Sequence, residues 1–119
     1  MKYLCLVYYE EKTINAMTQR EWKSLNEECV ACGESLRASG QMIGGNALQP
    51  VTTATSLRMR DGKMIITDGP FAESKEVVGG YFIVLAKNID EAVTIAKDCP
   101  DYDLGGVVEI REVMKFDNM

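Results

Sequence analysis

The densest run of side chains able to do chemistry is Asp68-Gly69-Pro70-Phe71-Ala72-Glu73-Ser74-Lys75-Glu76. Three carboxylates and an ammonium fall within nine residues. A carboxyl group whose pKa is raised in a cleft can act as a general base or acid. On that reading Asp68 is the catalytic candidate, with Glu73 as its substitute and Lys75 as the group that holds an anion. Pro70 fixes its own φ and restricts Gly69 before it. The glycines at 69, 79 and 80 let backbone approach a neighbour or a ligand. The structural alternative is that Asp68 only closes a turn through its own backbone. Glu73, Lys75 and Glu76 would then be solvated, or paired across a dimer.

A second set falls on predicted strands. Glu109 and Arg111 are two apart, so they share one strand face with Val107 and Val113. Charges on a partly apolar face must be paired or exposed. Arg111 has the shape to clamp a carboxylate or phosphate, and the alternative is a cross-strand ion pair. Tyr3, Tyr8, Tyr9, Tyr81 and Phe82 lie on or beside two apolar strands. They could line a pocket for a small flat ligand, or simply fill the core. The ligand-binding candidates are therefore Tyr9, Gly69, Pro70, Phe71 and Glu73, completed by Lys75, Tyr81, Glu109 and Arg111.

Cys29-x-x-Cys32 has the spacing of a redox motif or half a zinc site. A structural zinc takes four ligands. The chain has no histidine and no second Cys-x-x-Cys. Both residues fall on an apolar helical stripe, so core packing is the expected role. Cys99 precedes Pro100 at a predicted helix C-terminus, where the helix dipole disfavours a thiolate. Neither a metal nor a cofactor is expected. The absence of histidine also removes the commonest general base. No phosphate-binding glycine loop and no Gly-x-Ser-x-Gly elbow is present.

Net charge is −5 and the basic residues are scattered, which disfavours nucleic acid and anionic membranes as partners. No run approaches the roughly 18 apolar residues of a membrane span. The opening run after Met1-Lys2 lacks a small-residue cleavage site and reads as a strand. The four cysteines are then expected to be reduced thiols in the cytoplasm.

These residues need a scaffold, and the sequence predicts one. Lys2 to Tyr9 reads as a central strand covered on both faces. Thr18 and Glu21 form a capping box, with Met17 and Trp22 at the staple positions. The stripe Trp22, Leu25, Cys29, Cys32, Leu36 gives that helix one buried face, and Gly40 stops it. Gln41 to Pro50 reads as a short strand whose glycine pair, Gly44-Gly45, marks a bulge or a close backbone approach. Asp61-Gly62 between alternating runs predicts a hairpin with Met59 opposite Met64 and Leu57 opposite Ile66. Tyr81 to Ala86 is a second central strand. Asn88 and Glu91 open a helix with Ile89, Ala92, Val93 and Ala96 inward, which Pro100 ends. Val107 to Met114 is the last strand. Two βαβ-like halves in one domain, residues 1–119, predict an α+β ferredoxin-like sandwich with an inserted β-hairpin.

Asp68 to Glu76, followed by Val78-Gly79-Gly80-Tyr81, is similar to the motif for which the DGPF (YCII-related) family is named. The Lys2-Tyr3 to Tyr8-Tyr9 opening resembles that family's first strand. The ending Ala96-Lys97-Asp98-Cys99-Pro100, then Val108-Glu109-Ile110-Arg111-Glu112-Val113, resembles its close, with Glu112 where proline is frequent. The resemblance implies a dimeric α+β barrel, hence a homodimer. It also implies a gene association with extracytoplasmic-function sigma factors. Some relatives are dehydrochlorinases thought to use a His–Asp pair, and this chain lacks the histidine. Three functions stay open. The first is small-molecule binding in a cleft near Asp68-Gly69-Pro70-Phe71, including a non-catalytic regulatory role in a stress response. The second is a cofactor-independent isomerase, lyase or dehydrochlorinase with Asp68 as general acid/base. The third is a structural oligomer module.

Overall fold

The computed structural model describes residues 1–72, 75–98, 102 and 105–115. Strand β1 (Lys2–Glu10) leads through a short helix α1 (Glu11–Asn15) into the long helix α2 (Gln19–Ala38). Strand β2 (Met42–Ala47) and a 3₁₀ turn (Val51–Thr53) follow. Next comes the hairpin β3 (Thr55–Arg60) and β4 (Lys63–Asp68), then β5 (Glu76–Leu85), α3 (Ile89–Ala96) and β6 (Val107–Glu112). Among these residues no helix is long and apolar enough to cross a membrane.

Four strands form one antiparallel sheet in the order β2-β5-β1-β6. This is the ferredoxin-like order, with β1 and β5 in the centre as the apolar runs predict. The hairpin is inserted between the paired neighbours β2 and β5 and forms its own two-stranded sheet. Its register matches the sequence reading, Met59 with Met64 and Leu57 with Ile66. Asp61 and Gly62 both take positive φ, which the tight turn requires.

Both long helices begin as their caps dictate. The Thr18 hydroxyl accepts the Glu21 N–H at 3.1 Å, and the Glu21 carboxylate accepts the Thr18 N–H at 3.3 Å. Asn88 accepts the Glu91 N–H at 2.9 Å. Helix α2 ends in a Schellman motif. The Gly40 N–H donates to Arg37 and the Gln41 N–H to Leu36, with Gly40 at φ 79°.

The core lies between the helices and one face of the sheet. It gathers Tyr3, Cys5, Val84, Ala86, Ala92 and Ile95, with Leu36, Phe82, Val108 and Ile110 packed against it. Burial pushes the Cys5 thiol from its usual 9.0 up to about 11. Burial also raises the Tyr3 phenol, helped by Glu112, its partner in β6.

Several expectations change. Strand β1 was expected to be covered on both faces, yet only Tyr3, Cys5 and Val7 are buried. Leu4, Leu6 and Tyr8 on the other face stay half-exposed, because the helices of this two-layer chain cover one side of the sheet. Trp22, expected on the buried stripe, is 45% exposed, and Leu25 is the buried residue of α2. Helix α3 is rotated from the expected phase: Ala92, Ile95 and Ala96 are buried, whereas Ile89 and Val93 are exposed. Helix α1 carries no side-chain cap and was not foreseen. The last strand ends at Glu112 rather than Met114. Cys99 and Pro100 lie outside the described residues.

The raised Cys5 pKa fixes a pH dependence. Between 9.0 and about 11 the unfolded chain releases the Cys5 proton while the folded chain keeps it. Stability present below that window is therefore lost as pH rises through it. Urea midpoints measured across the window should fall, and Cys5→Ala should flatten the decline while lowering stability throughout.

Candidate functional site

Beneath the middle of α2 the helix and the sheet do not close on each other. A cavity of about 410 Å³ remains between them. Small ligands occupy spaces of this size, roughly 300–1,000 Å³. Three elements build its walls. Cys29, Cys32, Gly33 and Leu36 come from the inward face of α2. Val7 and Tyr9 come from β1, and Ile95 from α3. The floor is made where β2 meets β5, at Gly45, Gly79, Gly80 and Phe82.

The glycines of the sheet let neighbouring groups pack closely around this space. Strand β1 slips register against β5 between Val7 and Tyr8, leaving Gly79 as the extra residue. The Tyr9 ring lies over Gly79, so closely that a Cβ there would be driven into the ring. Gly45 lets β2 close on β5, since a Cβ would stand 2.8 Å from the Cβ of Phe82. Gly33 is different, because a Cβ on it would meet nothing within 4 Å. It faces the empty volume.

A few polar groups surround the apolar walls. The Arg37 guanidinium donates to the Gly45 carbonyl at 3.5 Å and so ties the end of α2 to β2. The Asn46 amide donates to the Tyr81 hydroxyl at 3.0 Å. The Cys32 thiol donates to the Asp98 carbonyl at 3.7 Å. Asn26 and Glu34 also line the space. The arrangement is suited to a small, largely apolar ring carrying oxygen atoms, with Arg37 available to a negative one.

Of the residues singled out from sequence, Tyr9 and Tyr81 line this cavity. Asp68 is exposed at the end of β4, opposite Thr55. Gly69 takes φ 99° and closes the hairpin base: its N–H donates to Ala54 at 2.6 Å and its carbonyl accepts the Ser56 hydroxyl at 2.7 Å. Pro70 is exposed and Phe71 is 79% exposed. Lys75 pairs with Glu10 at 3.6 Å in solvent, where such a pair contributes little. Glu73 lies outside the described residues. Glu109 and Arg111 oppose Leu6 and Leu4 on β1. Their neighbours Val108 and Ile110 pack on the core, so alternation sends Glu109 and Arg111 to the far face. Asp68 and Arg111 thus belong to different sheets, and neither is among the residues lining the cavity.

The YCII-related domain family matches residues 1–117. The chain belongs to the YCII-related family. An uncharacterised protein of Rhizobium meliloti (strain 1021), R00369, is 32% identical over 98 residues, covering 82% of this chain and 79% of that one. Among solved structures, the chain resembles 5-chloro-2-hydroxyhydroquinone dehydrochlorinase (TftG) from Burkholderia phenoliruptrix AC1100, in complex with 2,5-dihydroxybenzoquinone. The TM-score is 0.58 at 14% identity, over 99% of this chain and 98% of that chain. That likeness establishes a shared fold for this YCII-related chain.

Sequence reasoning missed Cys29, Cys32 and Arg37 as lining residues. The signal was present in the two thiols and Gly33 on one helical face, opposite three glycines on strands. It reads as a void only once the strands are placed beneath that helix.

Two glycine substitutions should separate. Gly33→Ala should raise stability by about 0.5–1 kcal/mol, because it removes a flexible residue from a helix without a clash. Gly79→Ala should lower it and displace the Tyr9 ring, which tyrosine fluorescence and NMR of the ring protons would register.

Proposed function

We propose that this protein binds a small, flat, oxygen-bearing molecule in the cavity between α2 and the sheet, and that it does so as a homodimer. The cavity itself carries the reading. Tyr9 and Phe82 offer ring surfaces, and Gly33 leaves the helix side of the space open. Arg37 sits among the lining residues. The quinone held by the dehydrochlorinase of the same fold belongs to the ligand class that would fit. The alternative of turnover by Asp68 draws less support, because Asp68 stands exposed on the hairpin and outside the cavity lining. The thiols of Cys5, Cys29 and Cys32 suit a reducing compartment such as the cytoplasm.

Shape supports the dimer. The radius of gyration is 16.3 Å, against roughly 13–14 Å for a compact chain of this length. The far face of the sheet leaves Leu85, Val107 and Val113 exposed beside half-buried Leu4, Leu6 and Ile83. The hairpin leaves Leu57, Met59, Met64 and Ile66 more than half exposed. Apolar surfaces of this extent on one protomer mark a partner interface.

A thermal-shift series with hydroquinone and 2,5-dihydroxybenzoquinone should raise the melting temperature in a saturable way. Gly33→Leu, which fills the cavity, should abolish the shift while the protein remains folded; an unchanged shift would place the ligand elsewhere. Sedimentation equilibrium at micromolar concentration should give twice the 13.2 kDa chain mass. A monomer at that concentration would overturn the dimer.

A further inference from the structure

We propose that the β3–β4 hairpin is a docking arm, whose apolar face packs on the outward strip of α2 between Trp22 and Val30 of a second copy of this chain. The docking rests on the homodimer reading and goes beyond it by assigning the two surfaces.

The hairpin has little support within its own chain. It forms a separate two-stranded sheet. Every residue of β3 and β4 except Ser56 is exposed. A lone two-stranded hairpin is marginally stable in water and needs further strands or a helix against its apolar face. Leu57 with Ile66 and Met59 with Met64 make that face, and all four side chains are more than half exposed.

Helix α2 carries a matching surface. Trp22, Asn26 and Val30 are four apart, so they form one line along the helix. Trp22 is 45% and Val30 59% exposed, and both line a shallow groove on that side. Tryptophan and methionine are concentrated at the cores of protein interfaces. The two apolar pairs of the hairpin span roughly 7 Å along the strands. Trp22 to Val30 spans roughly 12 Å along the helix, so the strip accommodates the row. Topology places both surfaces at one end of the sheet. Strand β1 ends at Glu10, which pairs with Glu76 at the start of β5. The chain enters α2 shortly after Glu10 and leaves the hairpin shortly before Glu76. One two-fold axis at that end can therefore exchange hairpin and helix between two copies.

Charge selects a second copy as the occupant. Residues 58–63 hold Arg58, Arg60 and Lys63 against Asp61, in a chain of net charge −5. Among the described residues none of those three cations is in an ion pair. Alternation puts them on the face opposite the apolar row, and their long stems reach round the strand edges. Glu27 and Glu34 flank the α2 groove, with Lys23 at its start. A second copy thus sets carboxylates against cations at the rim of an apolar contact, as specific interfaces do. Two hairpins stacked on each other would leave Trp22, Val30 and those carboxylates unmatched.

Trp22 is the chain's single tryptophan, so its emission reports the docking. The full chain is diluted from micromolar concentration and followed by sedimentation and by acrylamide quenching of tryptophan fluorescence. In the dimer Trp22 should be shielded and its emission shifted to the blue, and dissociation should reverse both. Met59→Lys combined with Met64→Lys should raise the dimer Kd by about ten-fold or more. That variant should also leave Trp22 open to quencher at concentrations where the unsubstituted chain shields it. Both side chains are more than half exposed in the single chain, so the variant should fold, as circular dichroism would verify. If it does not, a benzophenone cross-linker at position 59 decides: a bond to α2 of a second chain supports the docking, and a bond elsewhere or none overturns it. A dimer with Trp22 still open to quencher, or shielded equally in the variant, overturns the docking and leaves the homodimer standing. A monomer at every concentration overturns both.

Discussion

Strands β1 and β5 run antiparallel down the middle of the sheet, and the rest of the fold is arranged around that pairing. Their helix-facing side chains, Tyr3, Cys5 and Val84, form the buried floor on which α3 rests through Ala92 and Ile95. Burial of apolar surface is the main driving force here, and it is concentrated at this end of the sheet. The outer strands join by antiparallel hydrogen bonding to this central pair. The same pairing borders the cavity. Where β1 slips register against β5, Gly79 is the extra residue and the Tyr9 ring lies over it. The sheet is well filled under α3 and hollow under the middle of α2.

That division separates core from cavity. Cys5 is fully buried in the core, and burial pushes its thiol up to about 11. Cys29 and Cys32 occupy the same kind of inward position on α2 but border empty space. The far side of the sheet and the hairpin follow a third logic. Their apolar rows find no cover within the single chain.

The legible part of the structure was local. Capping at Thr18 and Asn88, the Asp-Gly turn, the stop at Gly40 and the hairpin register all follow from short-range hydrogen bonding and φ preferences, which neighbouring residues determine. The phase of α3 was less legible. Ile89, Val93 and Ile95 are all apolar, and only the position of the sheet selects which of them turns inward. The Asp68 to Glu76 motif was legible as a motif but not as a place. Its glycine and aspartate close the base of a hairpin, while its far end, Gly79 to Tyr81, forms part of the cavity.

By itself the sequence determined the elements, their order, the hairpin register and membership of the YCII-related family. It also excluded histidine-based chemistry, because no fold can supply an absent imidazole. Only the tertiary structure decided which inward-facing residues became core and which became cavity wall. The reason is that a void is a relation between surfaces distant in the chain. Gly33 on α2 and Gly45, Gly79 and Gly80 on the sheet are separately unremarkable glycines, and they line one cavity only when the antiparallel sheet sets them opposite one another.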